Sequence, residues 1–366
     1  MTDSCSRAAV FREPGQPLLV EEFPLPELKP REALVRVEFC TLCGSDLHSM
    51  LGHRRVPVPS VLGHEIVGRV ASVSAEEPPT DLNGRTLTVG DRVIWSVAAS
   101  CGECERCKRG LTQKCRQLFK YGHESTEPRS ALSGGLAEYC LLVPGTAVVT
   151  LDETLANTEA CPASCATATV AEALRGCREL SGRSVLIFGA GMLGLTAAAM
   201  SRWLRAERIV VCDLDADRLA LARRFGATDT GLWPDFEDQS KSGSSLEVDV
   251  VLEMSGAPAA AAAGLQHLAI GGELVLVGAV SPTAAVPIEP EQIVRRLLII
   301  RGVHNYTPAS LQFAVQFLIE TRSEFPFAGL VAQTFPLSRI NDAIAFAVES
   351  RACRVGIDPR TEAFWE

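Results

Sequence analysis

The chain has 366 residues, 47% of them hydrophobic and 22% charged, with 35 Lys and Arg against 44 Asp and Glu for a net charge of −9. That length exceeds one ordinary core and predicts two domains, and the composition is that of a globular chain rather than a disordered or fibrous one. The acidic balance argues against nucleic acid as a partner, and the lack of about 18 uninterrupted apolar residues argues against a membrane helix.

The N-terminal run MTDSCSRAAVFREPGQ has no basic region leading into an apolar stretch, so the expected location is cytoplasmic. From there to about residue 155 the chain reads as short β segments punctuated by Gly and Pro, among them ALVRVEFC, HEIVGRVASV, VGDRVIWSV and AEYCLLVP, a barrel-like all-β pattern. Two turn-like motifs interrupt it, CGSDLH (Cys43–His48) and GHE (Gly63–Glu65), and each offers a good zinc donor, Cys43 and His64. A catalytic zinc takes three protein ligands and keeps one position open, so a third donor is expected further along. The connecting stretch SMLGHRRVPVPS carries His53, Arg54 and Arg55, able to meet a polyhydroxyl or anionic substrate if they face it.

Next comes CGECERCKRGLTQKC, which places Cys101, Cys104, Cys107 and Cys115 within reach of one point. Four thiolates suit a closed tetrahedral zinc, and a closed site stabilises the fold without doing chemistry. Disulfides are the weaker reading, because neighbours two residues apart rarely reach disulfide geometry and the other nine cysteines are scattered singly. Isolated histidines such as His123, His267 and His304 read as core or surface imidazoles.

The segment ACPASCATATV holds two candidates for the third donor, Cys161 and Cys165, and either could instead be a small core residue. From about 165 the texture changes to buried apolar runs, SVLIFGAG, RIVVCDL, VDVVLEM and GELVLVGAV, alternating with amphipathic helices, which predicts a parallel sheet with crossover helices. The first run passes straight into Gly189, Ala190, Gly191, Met192, Leu193 and Gly194 and then a helix, the strand–turn–helix context of a dinucleotide fingerprint. Asp213 ends the next strand, 24 residues after Gly189, where a carboxylate accepts from ribose hydroxyls and repels a 2′-phosphate; NAD is therefore expected over NADP. Arg218 is either a further ribose contact or a helix-surface arginine. After about 305 two helices, SLQFAVQFLIE and INDAIAFAVES, and a last strand, CRVGIDP, predict a tail folded back onto the first domain. The expected division is 1–164 with 306–366, carrying the loop 101–115, and 165–305 for the nucleotide domain.

Taken together these motifs resemble the zinc-dependent medium-chain dehydrogenases, the group of alcohol, sorbitol and threonine dehydrogenases, over essentially the whole chain. The resemblance implies a GroES-like β-barrel catalytic domain, discontinuous in sequence, beside a Rossmann domain with a doubly wound parallel sheet, and an α/β fold class. It implies two zinc ions per chain, one catalytic and one structural, and self-association as a homodimer or homotetramer. In that family the third ligand precedes the first glycine of the fingerprint by about two dozen residues; Cys165 lies 24 before Gly189 and Cys161 lies 28, so the ligand role passes to Cys165. By the same resemblance Ser45 would bond the substrate hydroxyl, His48 would pass its proton through the nicotinamide ribose to solvent, and Asp46 would orient His64. Glu65 would stand in or beside the metal's coordination sphere, Thr169 beside the nicotinamide, and Arg354 near the cofactor pyrophosphate.

The implied reaction is hydride transfer between NAD(H) and a small alcohol or ketone. An aromatic content of only 6% favours a small polar secondary alcohol. GAGMLGLTAAAM and RGVHNYTP are similar to a subgroup that spans cyclitol dehydrogenases and dehydrogenases associated with phosphonate breakdown, so a cyclitol or sugar-like polyol is expected first and a hydroxyphosphonate second. Two other classes are set against this. A zinc-independent quinone or enone reductase would lack the Cys43, His64 and Cys165 set, and a non-enzymatic dinucleotide-binding protein would lack Ser45 and His48.

Overall fold

Strand Ala33–Leu42 organises the first part of the chain, because β-branched and aromatic residues at its buried positions let it pair on both edges. In the computed structural model, which describes residues 4–127, 129–233 and 246–360, this strand lies antiparallel to Glu65–Val73, to Tyr139–Leu142 and to Arg354–Asp358. The larger sheet runs Val331–Pro336, Arg354–Asp358, Ala33–Leu42, Glu65–Val73, Arg92–Ala99 and Phe119–Lys120, and a three-stranded sheet is built on Cys5–Phe11. Val35, Val37, Ile66, Trp95, Tyr121 and Leu136 are among the side chains that fill the core.

Register is what matters for chemistry. Thr41 stands opposite Glu65, and Val355 opposite Leu42. One step beyond each pair, the strand ends bring His64, Cys43 and Arg354 to the same end of the sheet, although they are separated by up to 311 positions in sequence.

The chain divides into two units: Met1–Cys165 with Thr307–Ile319 and Phe327–Glu366, and Ala166–Tyr306 with Glu320–Pro326. The short return of 320–326 to the second unit is a detail that composition does not signal; Trp203 Nε1 donates to Glu320 there, and Phe325 stacks on Phe225.

The second unit is a six-stranded sheet, parallel throughout, in the order Asp229–Leu232, Arg208–Asp213, Ser184–Phe188, Val248–Glu253, Leu268–Leu276, Ile299–Gly302. In chain order that is 3-2-1-4-5-6, a doubly wound arrangement whose direction reverses beside strand Ser184–Phe188. Its central strands are buried Val, Ile and Leu because helices cover both faces. Among the described residues no helix is long and apolar enough to cross a membrane.

Candidate active site and metal centres

Cys43, His64 and Cys165 come from three separate elements of the first unit. Cys43 caps the helix Gly44–Met50, His64 precedes strand Glu65–Val73, and Cys165 ends a short 3-10 turn, Cys161–Ser164. Gly63 sets the path of His64: its φ is +85°, and a Cβ there would meet Cys40 Sγ at 2.8 Å, so only glycine fits. The ligand atoms of the three residues lie within 4.8 Å of one another. Cys161, the other candidate, is fully buried, its thiol donating to the Glu65 carbonyl at 3.0 Å and lying 3.5 Å from Thr41 Oγ1.

Asp46 ties the cluster together. Its Oδ2 accepts from the Cys43 amide at 2.9 Å, and its Oδ1 lies 3.1 Å from His64 Nδ1. A buried carboxylate can only accept here, so Nδ1 keeps its proton and Nε2 is the nitrogen turned to the two sulfurs, the one that gives up its proton when a metal binds. Burial opposes charging His64, but the Asp46 charge and hydrogen bond, followed by Cys43, outweigh it and raise its pKa to about 10. The hydrogen bond from Cys165 holds Cys43 well below the usual thiol range, with burial opposing and Arg354 and His64 assisting. The same hydrogen bond, with burial, holds Cys165 well above it. Two thiols sharing one proton beside an imidazole form a donor set that a dication completes by displacing protons.

Ser45 Oγ stands 3.4 Å from His64 Nε2, on the same face of its helix as His48. His48 is exposed, with Nδ1 3.4 Å from His53 Nδ1. Glu65 is wholly enclosed. Burial raises its carboxyl while the Arg354 charge opposes that rise. Arg354 grips both of its oxygens, Nε to Oε2 and Nη2 to Oε1 at 2.6 Å each, and Thr41 Oγ1 donates to Oε2 at 2.5 Å. Arg354 Nη2 also lies 3.6 Å from Cys43 Sγ. Both oxygens of Glu65 are thus committed to Arg354 and Thr41.

Two neighbours escaped the sequence reading. The His123 ring centre is 5.3 Å from that of His64, with Nδ1 donating to the Tyr121 carbonyl at 2.8 Å. Burial, then the charges of His64, Lys120 and Arg54, push its pKa down to about 2, so the ring is neutral. Lys120 is drawn down to about 8, first by burial and then by Arg54. Only a signal linking the strand Phe119–Lys120 to the GHE motif could have found either residue, and their separation in sequence hides it.

The second cluster is the cysteine knuckle. Sγ atoms of Cys101, Cys104, Cys107 and Cys115 all lie within 4.8 Å of one another, with Cys104–Cys107 at 3.5 Å and Cys101–Cys115 at 3.4 Å. Sulfurs about 2.3 Å from a tetrahedral zinc stand somewhat under 4 Å apart, so the spacing fits. Backbone amides point at the sulfurs, from Cys101 and Gln117 to Cys115 and from Cys104 to Cys101, and stabilise thiolates.

In the second unit, Gly191 caps the helix Met192–Trp203 without a side-chain hydrogen bond, leaving the first-turn amides free. The space a Cβ would take at Gly191 is open, whereas a Cβ at Gly194 would overlap the Gly189 carbonyl. That is a cradle for a pyrophosphate above a closely packed turn. Met192 is buried and Leu193 half-buried at the helix start. Asp213 Oδ2 accepts from the Ala190 amide at 2.5 Å, placing its carboxylate beside the glycine loop. Arg218 and Thr169 are both half-buried, on helices Ala216–Arg224 and Ala166–Arg175.

Residues 29–153 match the family described as the alcohol dehydrogenase GroES-like domain, and residues 193–320 match the family of zinc-binding dehydrogenases. An L-threonine 3-dehydrogenase of Vibrio cholerae serotype O1 is 30% identical over 84% of this chain and 87% of its own length. Among solved structures, an alcohol dehydrogenase of Thermotoga maritima superposes with a TM-score of 0.90 at 28% identity, covering 97% of this chain and 100% of its own. A Sinorhizobium meliloti chain assigned to the zinc-binding dehydrogenases, solved bound to NADP, gives 0.84 at 25% identity, covering 98% and 100%.

Proposed function

The chain belongs to the zinc-type medium-chain dehydrogenases, oxidoreductases of alcohols, and from this premise we propose that it interconverts a small polar secondary alcohol and its ketone with NAD(H), using Cys43, His64 and Cys165 as the ligands of a catalytic zinc. The observation that carries this reading is the convergence of three donor atoms within 4.8 Å, with the imidazole tautomer fixed by Asp46. Zinc, when bound, supplies a Lewis acid that makes an alcohol acidic near neutral pH, and the nicotinamide supplies a hydride acceptor.

The chain's own residues do the rest. Ser45, beside His64 Nε2, receives the hydroxyl proton of the substrate. His48, one helical turn further and exposed, passes that proton to solvent. Asp46 keeps His64 aimed, and the Arg354–Glu65–Thr41 network holds the floor beneath Cys43. The four cysteines of 101–115, their sulfurs within 4.8 Å of one another, would hold a second, structural zinc. Gly189, Gly191, Met192, Leu193 and Gly194 cradle the pyrophosphate, with Thr169 and Arg354 as lesser cofactor contacts, and Asp213 selects NAD over NADP by accepting from ribose hydroxyls.

A cyclitol or sugar-like polyol and a hydroxyphosphonate both fall within this substrate class. The zinc-independent reductase reading is disfavoured by the donor cluster, and the non-enzymatic one by the presence of Ser45 and His48. The test is a panel of cyclitols, acyclic polyols, L-threonine and hydroxyphosphonates with NAD, followed by absorbance of the reduced cofactor, together with zinc analysis of the purified protein. Two zincs per chain and turnover of one panel class are expected; at most one zinc, with no turnover of any alcohol, overturns the reading.

A further inference from the structure

We infer that His53 is the exit member of the proton path, so that the proton His48 takes up from the reacting alcohol leaves the protein through His53. The inference rests on the dehydrogenase reading above and deepens it. A relay imidazole uses both of its nitrogens, one to receive a proton and the other to give one up. In His48 one of the two is engaged, because its Nδ1 lies 3.4 Å from His53 Nδ1. Nε2 is left to receive a proton from the Ser45 side, and the onward step through Nδ1 meets His53.

The backbone builds this pair. Helix Gly44–Met50 ends in a Schellman turn: the Gly52 amide donates to the Ser49 carbonyl at 3.1 Å and the His53 amide to the His48 carbonyl at 2.8 Å. Such a turn sets the residue two past the cap, here Leu51, against the residue three before it, a contact usually made by two apolar side chains. In this chain both are imidazoles, with ring centres 5.6 Å apart and planes tilted by 52°. Gly52 makes the turn possible with a φ of +78°, and a Cβ there would press on Pro14 Cβ at 3.1 Å. The Gly15 amide donates to the Met50 carbonyl at 2.9 Å and ties down the helix end. Both rings are exposed, so the pair opens on water.

Two facing Nδ1 atoms can share only one proton. His48 holds it at rest, since its Nε2 is then the lone-pair nitrogen, and His53 carries its own proton on Nε2. A proton arriving at His48 Nε2 makes that ring an imidazolium. Its Nδ1 proton crosses to His53 Nδ1, and the Nε2 proton of His53 passes to water. One proton enters, one leaves and no electrons move; exchange of the exposed rings with water restores the starting tautomers. An amide or a phenyl ring at position 53 keeps the turn, which the backbone makes, and breaks the path, because neither takes up and releases a proton near neutral pH.

The first measurement needs no substrate. In the zinc-loaded full chain, 15N resonances of the histidine rings should show Nδ1 protonated in His48 and unprotonated in His53. Both rings protonated on Nε2 would leave no proton between them and overturn the inference. The second measurement follows proton release by stopped flow, with an indicator dye in weak buffer, after mixing with NAD and the fastest alcohol of the panel above. His53→Gln and His53→Phe should each slow release by about tenfold or more, with zinc content, Tm and NAD affinity unchanged. Added imidazole should restore most of the loss in both variants and leave the wild type unmoved. His53→Phe keeps a ring in the turn, so a loss common to the two variants and cured by imidazole is not one of packing. Release unchanged in both variants, or slowed without rescue, overturns the inference while continued turnover leaves the dehydrogenase reading standing. No turnover of any alcohol sinks the dehydrogenase reading, and the proton path with it.

Discussion

Arg354 and Glu65 lie 289 positions apart and meet as a buried fork, two hydrogen bonds of 2.6 Å between side chains that are 7% and 0% exposed. Strand pairing makes this possible: Arg354–Asp358 lies against Ala33–Leu42, which lies against Glu65–Val73. Removing one partner strands the other charge in the core, at a cost of about 3–5 kcal/mol. Arg354→Met and Glu65→Gln should each lower Tm by about 10 °C, and the double variant should lose less than the sum of the two. Zinc content of the Glu65→Gln protein should remain at two per chain, because both oxygens already serve Arg354 and Thr41. Loss of one zinc in that variant would make Glu65 a ligand.

Asp46 acts on the metal through His64. Asp46→Asn keeps the shape and removes the charge that holds the Nδ1 proton, so the imidazole loses its fixed tautomer. The expected result is a drop of about 10–100-fold in affinity for the catalytic zinc, read by competition with a chromophoric chelator. The structural zinc should not respond.

The two clusters should separate by what their loss does. Cys43→Ala or His64→Ala should leave one zinc per chain, abolish turnover, and keep both fold and NAD binding largely intact. Cys104→Ser or Cys115→Ser should also leave one zinc, yet lower Tm, since a closed thiolate site contributes folding energy directly. Zinc analysis paired with thermal unfolding distinguishes these outcomes. Unfolding of the Cys43→Ala protein, or loss of its NAD binding, would count against a purely catalytic role.

How legible was all this? The glycine loop and the cysteine knuckle are local, each written within about fifteen residues of chain, so spacing alone suggests their chemistry. The strands were equally readable, because buried parallel strands are unbroken apolar runs. The third donor was legible only through the family resemblance: Cys161 and Cys165 share composition and neighbourhood, the spacing to Gly189 favoured Cys165, and the fold bears this out by bringing the Cys165 sulfur to Cys43 and His64 while Cys161 turns to the Glu65 carbonyl. Nor did sequence reveal the surroundings of His64. His123 reads as an isolated imidazole until the turn after strand Phe119–Lys120 brings its ring within 5.3 Å of that of His64. Contacts made by register between distant strands leave no trace in periodicity.

Asp213 should govern cofactor choice. Its carboxylate sits by the Ala190 amide at the end of strand Arg208–Asp213, where a 2′-phosphate would meet negative charge. Asp213→Ser removes the repulsion and the acceptor for the ribose hydroxyls together. The KM for NAD should rise by about tenfold or more while that for NADP falls, measured on one alcohol at saturating concentration. A wild-type protein already favouring NADP would refute the assignment of Asp213.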